Sequence, residues 1–377
     1  MYSAPLVSIQ VLRALAASAI LFAHLWPEFQ LYGPNNPFPN FTYGAAGVDL
    51  FFVISGFVMV YSSERFFAQP GGSIQFFLRR LARIVPLYWA VTTAWLLYLL
   101  QLRGTIDVED MSWSSVAASY AFLPYPRPSG LNVPVVGVGW TLNFEMFFYA
   151  AFALAVVLPR RMAVFSVTAF FIAVILAACI YPPGPFKPFD FSADNPLFLA
   201  DNPFAFLADS IIFEFVYGML IALVFRAGFR IPLWGSVLLL ALGAALFGCT
   251  IIYGVWLRAF TLGIVATCLV AGVTLCAAKV RTGKVLSALA LVGNASYALY
   301  LLHTVVMMIP RSVVLWYLPT YLHIRLDVHA HYWLYGAFLF AFCIGTAIAV
   351  YLYFERPMTR ALQRLIGTRL RIPSPAG

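Results

Sequence analysis

The chain contains 377 residues, of which 63% are hydrophobic and only 10% are charged. Soluble globular proteins carry about 25% charged residues, so this composition excludes a water-soluble enzyme and indicates an integral membrane protein. The formal charge of +9 does not indicate a nucleic-acid partner, because positive residues collect in the cytoplasmic connections of membrane proteins, beside anionic lipid headgroups.

Apolar segments of membrane-spanning length follow one another along the chain. A spanning helix needs roughly 17–25 mostly apolar residues. We predict ten spans, at 8–26, 47–63, 84–101, 136–158, 162–180, 206–225, 233–254, 258–278, 286–309 and 332–354. The expected fold is therefore an all-α integral membrane protein with about ten transmembrane helices.

The positions of Lys and Arg predict the orientation of these spans. With a cytoplasmic N-terminus, the inner connections and the tail hold sixteen of these residues and the outer connections hold six. Positive residues accumulate on the inside, so both termini are predicted to be cytoplasmic. Residues 1–355 are expected to form one ten-helix membrane domain, followed by a short basic cytoplasmic tail at 356–377. We interpret the first span as retained, because the features of a cleaved signal peptide are missing.

The first span contains two ionisable residues, Arg13 and His24. Eleven steps of about 100° return a helix to nearly the same face, and they separate the two side chains by about 16 Å along its axis. Ionisable residues inside a bilayer are costly, so a functional role is the default hypothesis for both. The structural alternative is an Arg that reaches one interface and a His near the other.

Two carboxylates also fall within predicted spans. Asp49 lies near the outer end of the second span, in GVDLFFVISGF, and is expected to orient an imidazole or to form an ion pair, the structural alternative being an interfacial or helix N-terminal Asp. Glu145 lies about nine residues inside the fourth span, in GVGWTLNFEMFFY, and therefore needs a His, an Arg or a water-filled cavity. In the same segment, Trp140 fits an interfacial anchor or a substrate contact, and Asn143 fits a structural or a substrate-binding role.

An arginine cluster stands at the cytoplasmic entrance of the third span, in FLRRLARIVPLYW. Arg80 and Arg83 share a helix face and are able to hold a polyphosphate between their guanidinium groups, with Arg79 beside them. The positive-inside rule alone also accounts for three arginines at this position.

The ninth span carries a polar stripe. Ser296, Tyr300 and His303 recur on one helix face in GNASYALYLLH, and His303 reaches the predicted outer half. This stripe indicates either a cavity lining or hydrogen bonds between helices.

The ionisable residues of the predicted spans fall into two groups by their predicted depth in the membrane. His24, Asp49, Glu145 and His303 are all predicted in the outer half of the membrane, and the arginine cluster at the inner surface. This arrangement predicts group transfer across the bilayer, from an anionic donor inside to an acceptor outside. We predict no metal site, because His329 and His331 lack the additional ligands of a zinc signature.

Six motifs in order resemble the acyltransferase-3 membrane family. They are the Arg13 and His24 pair, GVDLFFVISGF, RRLARIVPLYW, GWTLNFEMFFY, the Tyr-rich stretch ending at His303, and FERP at 354–357. The GWTLNFEMFFY string is similar to the branch that acetylates bacterial exopolysaccharides, although the residue before the Glu is often Tyr there and is Phe144 here.

The resemblance implies a ten-helix core that takes acetyl-CoA from the cytoplasm and delivers its acyl group to a sugar hydroxyl outside. It implies that His24 is catalytic, that Arg80 and Arg83 engage the coenzyme A phosphates, and that Arg13 and Glu145 are needed for activity. The corresponding location is the bacterial inner membrane.

We therefore expect an O-acetyltransferase that modifies an extracytoplasmic or lipid-linked polysaccharide. The expected catalytic residues are His24, Glu145, Asp49 and His303, the donor-binding residues are Arg13, Arg79, Arg80 and Arg83, and the substrate-binding residues are Tyr300, Asn143 and Trp140. Direct transfer and an acetyl-histidine intermediate both remain open. The alternative is a transporter or flippase of a polyprenyl-linked glycan. The expected partners are acetyl-CoA, the glycan, membrane lipids and other membrane proteins of polysaccharide biosynthesis.

Overall fold

A computed structural model describes most of the chain. The described residues are 4–32, 42–103, 111–127, 132–180, 206–255, 258–278, 283–324 and 331–369. Within them the protein is helical, and the single β-type pairing is an isolated bridge between Ile231 and Cys276. The all-α prediction is confirmed.

Fourteen α-helices make up this described part. They are α1 (Ala4–Tyr32), α2 (Gly47–Ser62), α3 (Gly72–Arg103), α4 (Trp113–Tyr120), α5 (Trp140–Ala155), α6 (Arg160–Ile180), α7 (Ile212–Arg226), α8 (Leu233–Tyr253), α9 (Arg258–Thr274), α10 (Lys284–Asn294), α11 (Ser296–Ser312), α12 (Leu318–Tyr321), α13 (Tyr332–Val350) and α14 (Arg356–Arg369). Short 3₁₀ turns occur at Thr42–Ala46, Glu64–Phe66 and Gly137–Gly139, and π-helical segments at Val313–Tyr317 and Tyr351–Glu355.

Seven helical segments of the described chain are long and apolar enough to cross a membrane, or eight if the bent pair α10 and α11 counts as one span. The seven are Val7–Pro27, Tyr43–Ser62, Gly72–Gln101, Gly137–Ala155, Arg160–Ile180, Leu233–Tyr253 and Tyr332–Thr368. The remaining predicted spans coincide with α7 and α9, which contain only 15 and 17 residues. The protein is a multi-pass membrane protein, while the count of ten spans and the cytoplasmic termini stay predictions.

A bend of 66° separates α10 from α11. Ala295 leaves the helical conformation there, directly after Gly293 and Asn294, and Gly and Asn are residues that favour helix ends. The predicted ninth span is thus two helices, and the polar stripe that starts at Ser296 begins a new helix.

The chain divides into two compact units, Met1–Val48 with Val280–Arg356 and Asp49–Lys279 with Pro357–Gly377. In the first unit, α1 packs against α10, α11 and α13. Gly293 of α10 lies so close to α1 that an added Cβ would collide with the backbone carbonyl of Gln10. This contact between backbones fixes α1, which carries Arg13 and His24, against the bent helix pair.

In the second unit, a reciprocal glycine contact joins α2 to α7. A Cβ on Gly56 would collide with the carbonyl oxygen of Phe215, and a Cβ on Gly218 would collide with the carbonyl oxygen of Val53. Small residues let membrane helices approach in this way. Gly56 of the GVDLFFVISGF motif therefore contacts a neighbouring helix.

Candidate active site

Two imidazole rings meet in the first unit. The rings of His24 on α1 and His303 on α11 lie edge to face, with centroids 4.7 Å apart and an interplanar angle of 68°. The two histidines that were predicted at the same depth are thus in contact. The packing of α1 against α11 brings them together.

Both rings are anchored to the backbone of their own helices. Nδ1 of His24 lies 2.9 Å from the carbonyl oxygen of Ile20, and Nδ1 of His303 lies 3.1 Å from that of Leu299. A carbonyl oxygen only accepts hydrogen bonds, so each Nδ1 is assigned the proton and each Nε2 the lone pair. The tautomer of His24 is thus set by a backbone group, where a carboxylate was expected.

The two imidazoles differ in exposure. His24 is exposed, whereas His303 is only 1% exposed, and its Nε2 has no hydrogen-bond partner within the described chain. Tyr300 is also buried, and its ring centroid lies 6.2 Å from that of His303. His24 has room for a substrate group on its ring, and His303 does not.

Arg13 takes part in a hydrogen bond between helices. Its Nε donates to Oγ of the fully buried Ser296 at 3.1 Å. At this position the polar stripe of α11 serves helix contacts. The same bond holds a positive charge at the first turn of α11.

The arginine cluster lies in the second unit, on the first part of α3. Nη2 of Arg80 donates to Oγ of Ser62 at 2.6 Å, and its guanidinium group lies over the rings of Phe76 and Tyr149, at 5.3 Å and 5.7 Å from their centroids. Aromatic faces attract a cation, so these contacts fix the direction of the Arg80 side chain.

Arg79 and Arg83 are half-buried, like Arg80. A Cβ added to Gly367 of α14 would lie 3.2 Å from Nη2 of Arg79. The described part of the basic tail therefore reaches the arginine cluster within the second unit.

Glu145 is joined to this cluster through Tyr149. The Tyr149 hydroxyl donates a short hydrogen bond to Oε1 of Glu145, and Tyr149 also hydrogen-bonds Arg80, which feels the charge of Glu145. Glu145 was expected to need a cation, a His or a cavity, and its charge acts on Arg80 of α3; its position in the outer half of the membrane stays a prediction. Tyr149 was missed at the sequence level, although its position four residues after Glu145 on α5 was a usable signal.

A second polar group of this unit surrounds Asp49. Both oxygens of the fully buried Asp49 accept from the Arg258 guanidinium group, at 2.8 Å and 3.1 Å. Glu214 is also fully buried, and the charges of Glu214 and Asp209 act on Arg258 together with that of Asp49. Of the two roles expected for Asp49, the structure shows the ion pair. Arg258 was counted only as an outer positive residue, so the sequence analysis missed its role.

The two predicted substrate residues of α5 have different surroundings. The Arg258 guanidinium group lies 5.9 Å from the ring centroid of the half-buried Trp140. Asn143 is only 3% exposed, and its Oδ1 has no hydrogen-bond partner within the described residues. Trp140 is thus next to the Asp49 ion pair.

His24 and His303 belong to the first unit, whereas Asp49, Glu145 and the arginine cluster belong to the second. The convergence of all these groups on one passage stays a prediction. Of the histidines weighed as metal ligands, His331 is exposed at the start of α13 and His329 lies outside the described residues.

Comparison with known proteins decides the family. A family model described as an acyltransferase domain matches residues 6–355, which is nearly the whole chain. The chain belongs to the acyltransferase-3 family. The resemblance that the six sequence motifs indicated is therefore confirmed.

Several curated proteins are similar to this chain in sequence. The exopolysaccharide production protein ExoZ of Rhizobium meliloti strain 1021 is 34% identical over 329 residues, which cover 85% of this chain and 91% of the relative. The acyltransferase MdmB of Streptomyces mycarofaciens is 29% identical over 277 residues, covering 70% of this chain and 68% of the relative. Nodulation protein 10 of Rhizobium leguminosarum bv. viciae is 29% identical over 167 residues, covering 40% and 44%. No solved structure matches this acyltransferase.

Proposed function

We propose that this acyltransferase moves an acetyl group from cytoplasmic acetyl-CoA to a hydroxyl of an extracytoplasmic or lipid-linked exopolysaccharide. The similarity to ExoZ over most of both chains supports a polysaccharide acceptor. The apolar helices support a membrane location, which we assign to the bacterial inner membrane. The partners that follow are acetyl-CoA, the glycan, lipids and other membrane proteins of polysaccharide biosynthesis.

The observation that carries the proposed chemistry is the state of the His24 ring. Its Nδ1 is held by the Ile20 carbonyl, so the exposed ring keeps a lone pair on Nε2. Such a nitrogen acts as a base toward a sugar hydroxyl or as a nucleophile toward a thioester. We assign the reacting position to Nε2 of His24. General-base catalysis by a positioned imidazole contributes about 10² to 10⁴ in rate.

We assign the donor phosphates to the arginine cluster. Arg80 and Arg83 present guanidinium groups that match the geometry of phosphate oxygens, and Arg79 adds a third positive charge. The hydrogen bond to Ser62 and the aromatic contacts hold Arg80 ready for an anion. Arg13 is the fourth residue that we assign to the donor.

The carboxylates receive roles in this proposal that follow from their contacts. Glu145 orients Arg80 through Tyr149, which accounts for a requirement for Glu145 without contact to the imidazole. Asp49 fixes Arg258 beside Trp140.

The acceptor glycan is assigned to aromatic and amide side chains. Tyr300, Trp140 and Asn143 are the groups that we assign to the glycan. Aromatic rings and amides of this kind offer both an apolar face and hydrogen bonds to a sugar.

Purified protein in lipid vesicles tests the proposal. With acetyl-CoA and the host exopolysaccharide precursor, we expect release of free coenzyme A together with O-acetylated glycan detected by mass spectrometry. His24→Ala should abolish both products while the protein still inserts, and His331→Ala, which removes an exposed histidine, should leave both unchanged. Movement of the glycan without consumption of thioester would identify a transporter instead.

A further inference from the structure

His303, the second imidazole of the first unit, is too deeply buried to bind a substrate directly. His303 is 1% exposed, and its Nε2 is completely buried without a hydrogen-bond partner in the described part of the chain. An unpaired acceptor in the interior costs free energy, so this nitrogen requires an explanation. The Cys343 thiol approaches the backbone carbonyl of His303 at 3.9 Å, while the ring of His24 lies against the imidazole itself.

The hydrogen bonds of the two rings leave His303 with a lone pair of fixed direction. Nδ1 of His303 is bound to the Leu299 carbonyl on its own helix. Because Nδ1 and Nε2 lie on different edges of an imidazole, Nε2 points away from that carbonyl. His303 is therefore a neutral dipole held beside His24.

His24 gains one positive charge in either form of the proposed chemistry. If it is a base, Nε2 takes the hydroxyl proton while the new C–O bond forms and the C–S bond breaks, and the electron pair leaves with the thiolate. If it is a nucleophile, Nε2 forms a bond to the carbonyl carbon and the same C–S bond breaks. The His24 ring becomes an imidazolium or an acyl-imidazolium, and charge that develops in a transition state is best stabilised by a dipole already in place.

We propose that His303 is a positioning residue for His24, whose buried Nε2 lone pair stabilises the positive charge that His24 acquires. Like the carboxylate of a Ser-His-Asp triad, His303 stabilises a charged imidazole, whereas the tautomer of His24 is set by the Ile20 carbonyl. The inference rests on the proposed function. It assigns no contact with the acceptor to His303, whose burial leaves no surface for a sugar.

Two substitutions distinguish the role of the Nδ1 donor of His303 from that of its Nε2 acceptor. His303→Asn keeps an amide donor for the Leu299 carbonyl but removes the acceptor at the Nε2 position, whereas His303→Gln places an amide oxygen near that position. Loss of one preorganised hydrogen-bond donor to a transition-state charge lowers kcat by about 10² to 10³, and for a dipole that acts without a direct hydrogen bond we expect about 10- to 100-fold. We expect His303→Asn to lower kcat by that factor, with KM for acetyl-CoA and glycan within about twofold of wild type, while His303→Gln retains most of kcat.

Thr304→Ala, on the same helix, is the matched control, and gel filtration in detergent shows which variants are folded. Equal kcat for the Asn and Gln variants overturns the inference, because kcat would then not depend on the acceptor at the Nε2 position. A higher kcat for the Asn variant also overturns it, because the bond to Leu299 would then be the important one. A change confined to KM also overturns it. Wild-type protein without acetyl transfer, or a fully active His24→Ala variant, would instead refute the proposed function.

Discussion

The ion pair between Arg258 and Asp49 gives a sharp test of what holds the second unit together. The Asp49 side chain is 0% exposed and that of Arg258 is 26% exposed, and Glu214 is also fully buried. Arg258→Met leaves two buried carboxyl groups without a cation. Removal of one partner from a buried pair costs about 3–5 kcal/mol, so we expect the free energy of unfolding to fall by about that amount.

A double-mutant cycle measures the coupling free energy between Asp49 and Arg258 apart from the effect of each substitution alone. Asp49→Asn removes the buried charge, so Arg258→Met combined with Asp49→Asn should be more stable than Arg258→Met alone. We expect a coupling free energy of about 1.5–3 kcal/mol, within the range found for residues in contact. Unfolding of the purified protein by a denaturing detergent, followed by tryptophan fluorescence, provides the four free energies. A coupling below about 0.5 kcal/mol would show that Asp49 and Arg258 do not depend on each other.

Three further predictions address α2, α3 and α5. Gly56→Ala forces a methyl group against the Phe215 carbonyl and should destabilise the protein by about 1–3 kcal/mol or more in the same assay, whereas Gly248→Ala, at a position with open space, should not. Tyr149→Phe should raise KM for acetyl-CoA by about three- to tenfold, because Arg80 loses a hydrogen bond that orients it; an unchanged KM in initial-rate measurements would contradict this role. Arg80→Lys should raise the same KM by about tenfold, since a lysine cannot make the forked contact, and full affinity in that variant would exclude a phosphate role.

The helical fold was predictable because a bilayer requires apolar segments of a certain length, and because their backbone hydrogen bonds must be satisfied within a helix. Runs of apolar residues define where helices lie, and every predicted span overlaps a helix of the structure. The bend at Ala295 was not predicted, because the apolar run continues through it while the backbone leaves the helical conformation. Hydropathy does not report a local change of that kind.

The contacts of the site were only partly predictable, since depth in the membrane does not specify the partner. His24 and His303 were predicted at one depth, and they meet because α1 and α11 pack together. Glu145 needed a cation or a cavity, but the choice of Arg80 depends on the face of α5 that carries Tyr149. Asp49 and Arg258 are 209 residues apart in sequence, a separation across which no periodic pattern gives information.

The reciprocal contact of Gly56 and Gly218 has a mechanical consequence for turnover. Two helix backbones that touch without intervening side chains have no room to slide or rotate past each other. Asp49 lies on α2 and Glu214 on α7, so these two carboxyl groups keep their relative position whenever the two helices move. Any opening that admits a bulky sugar chain must come from other parts of the molecule, and a covalent crosslink between α2 and α7 should leave catalysis intact.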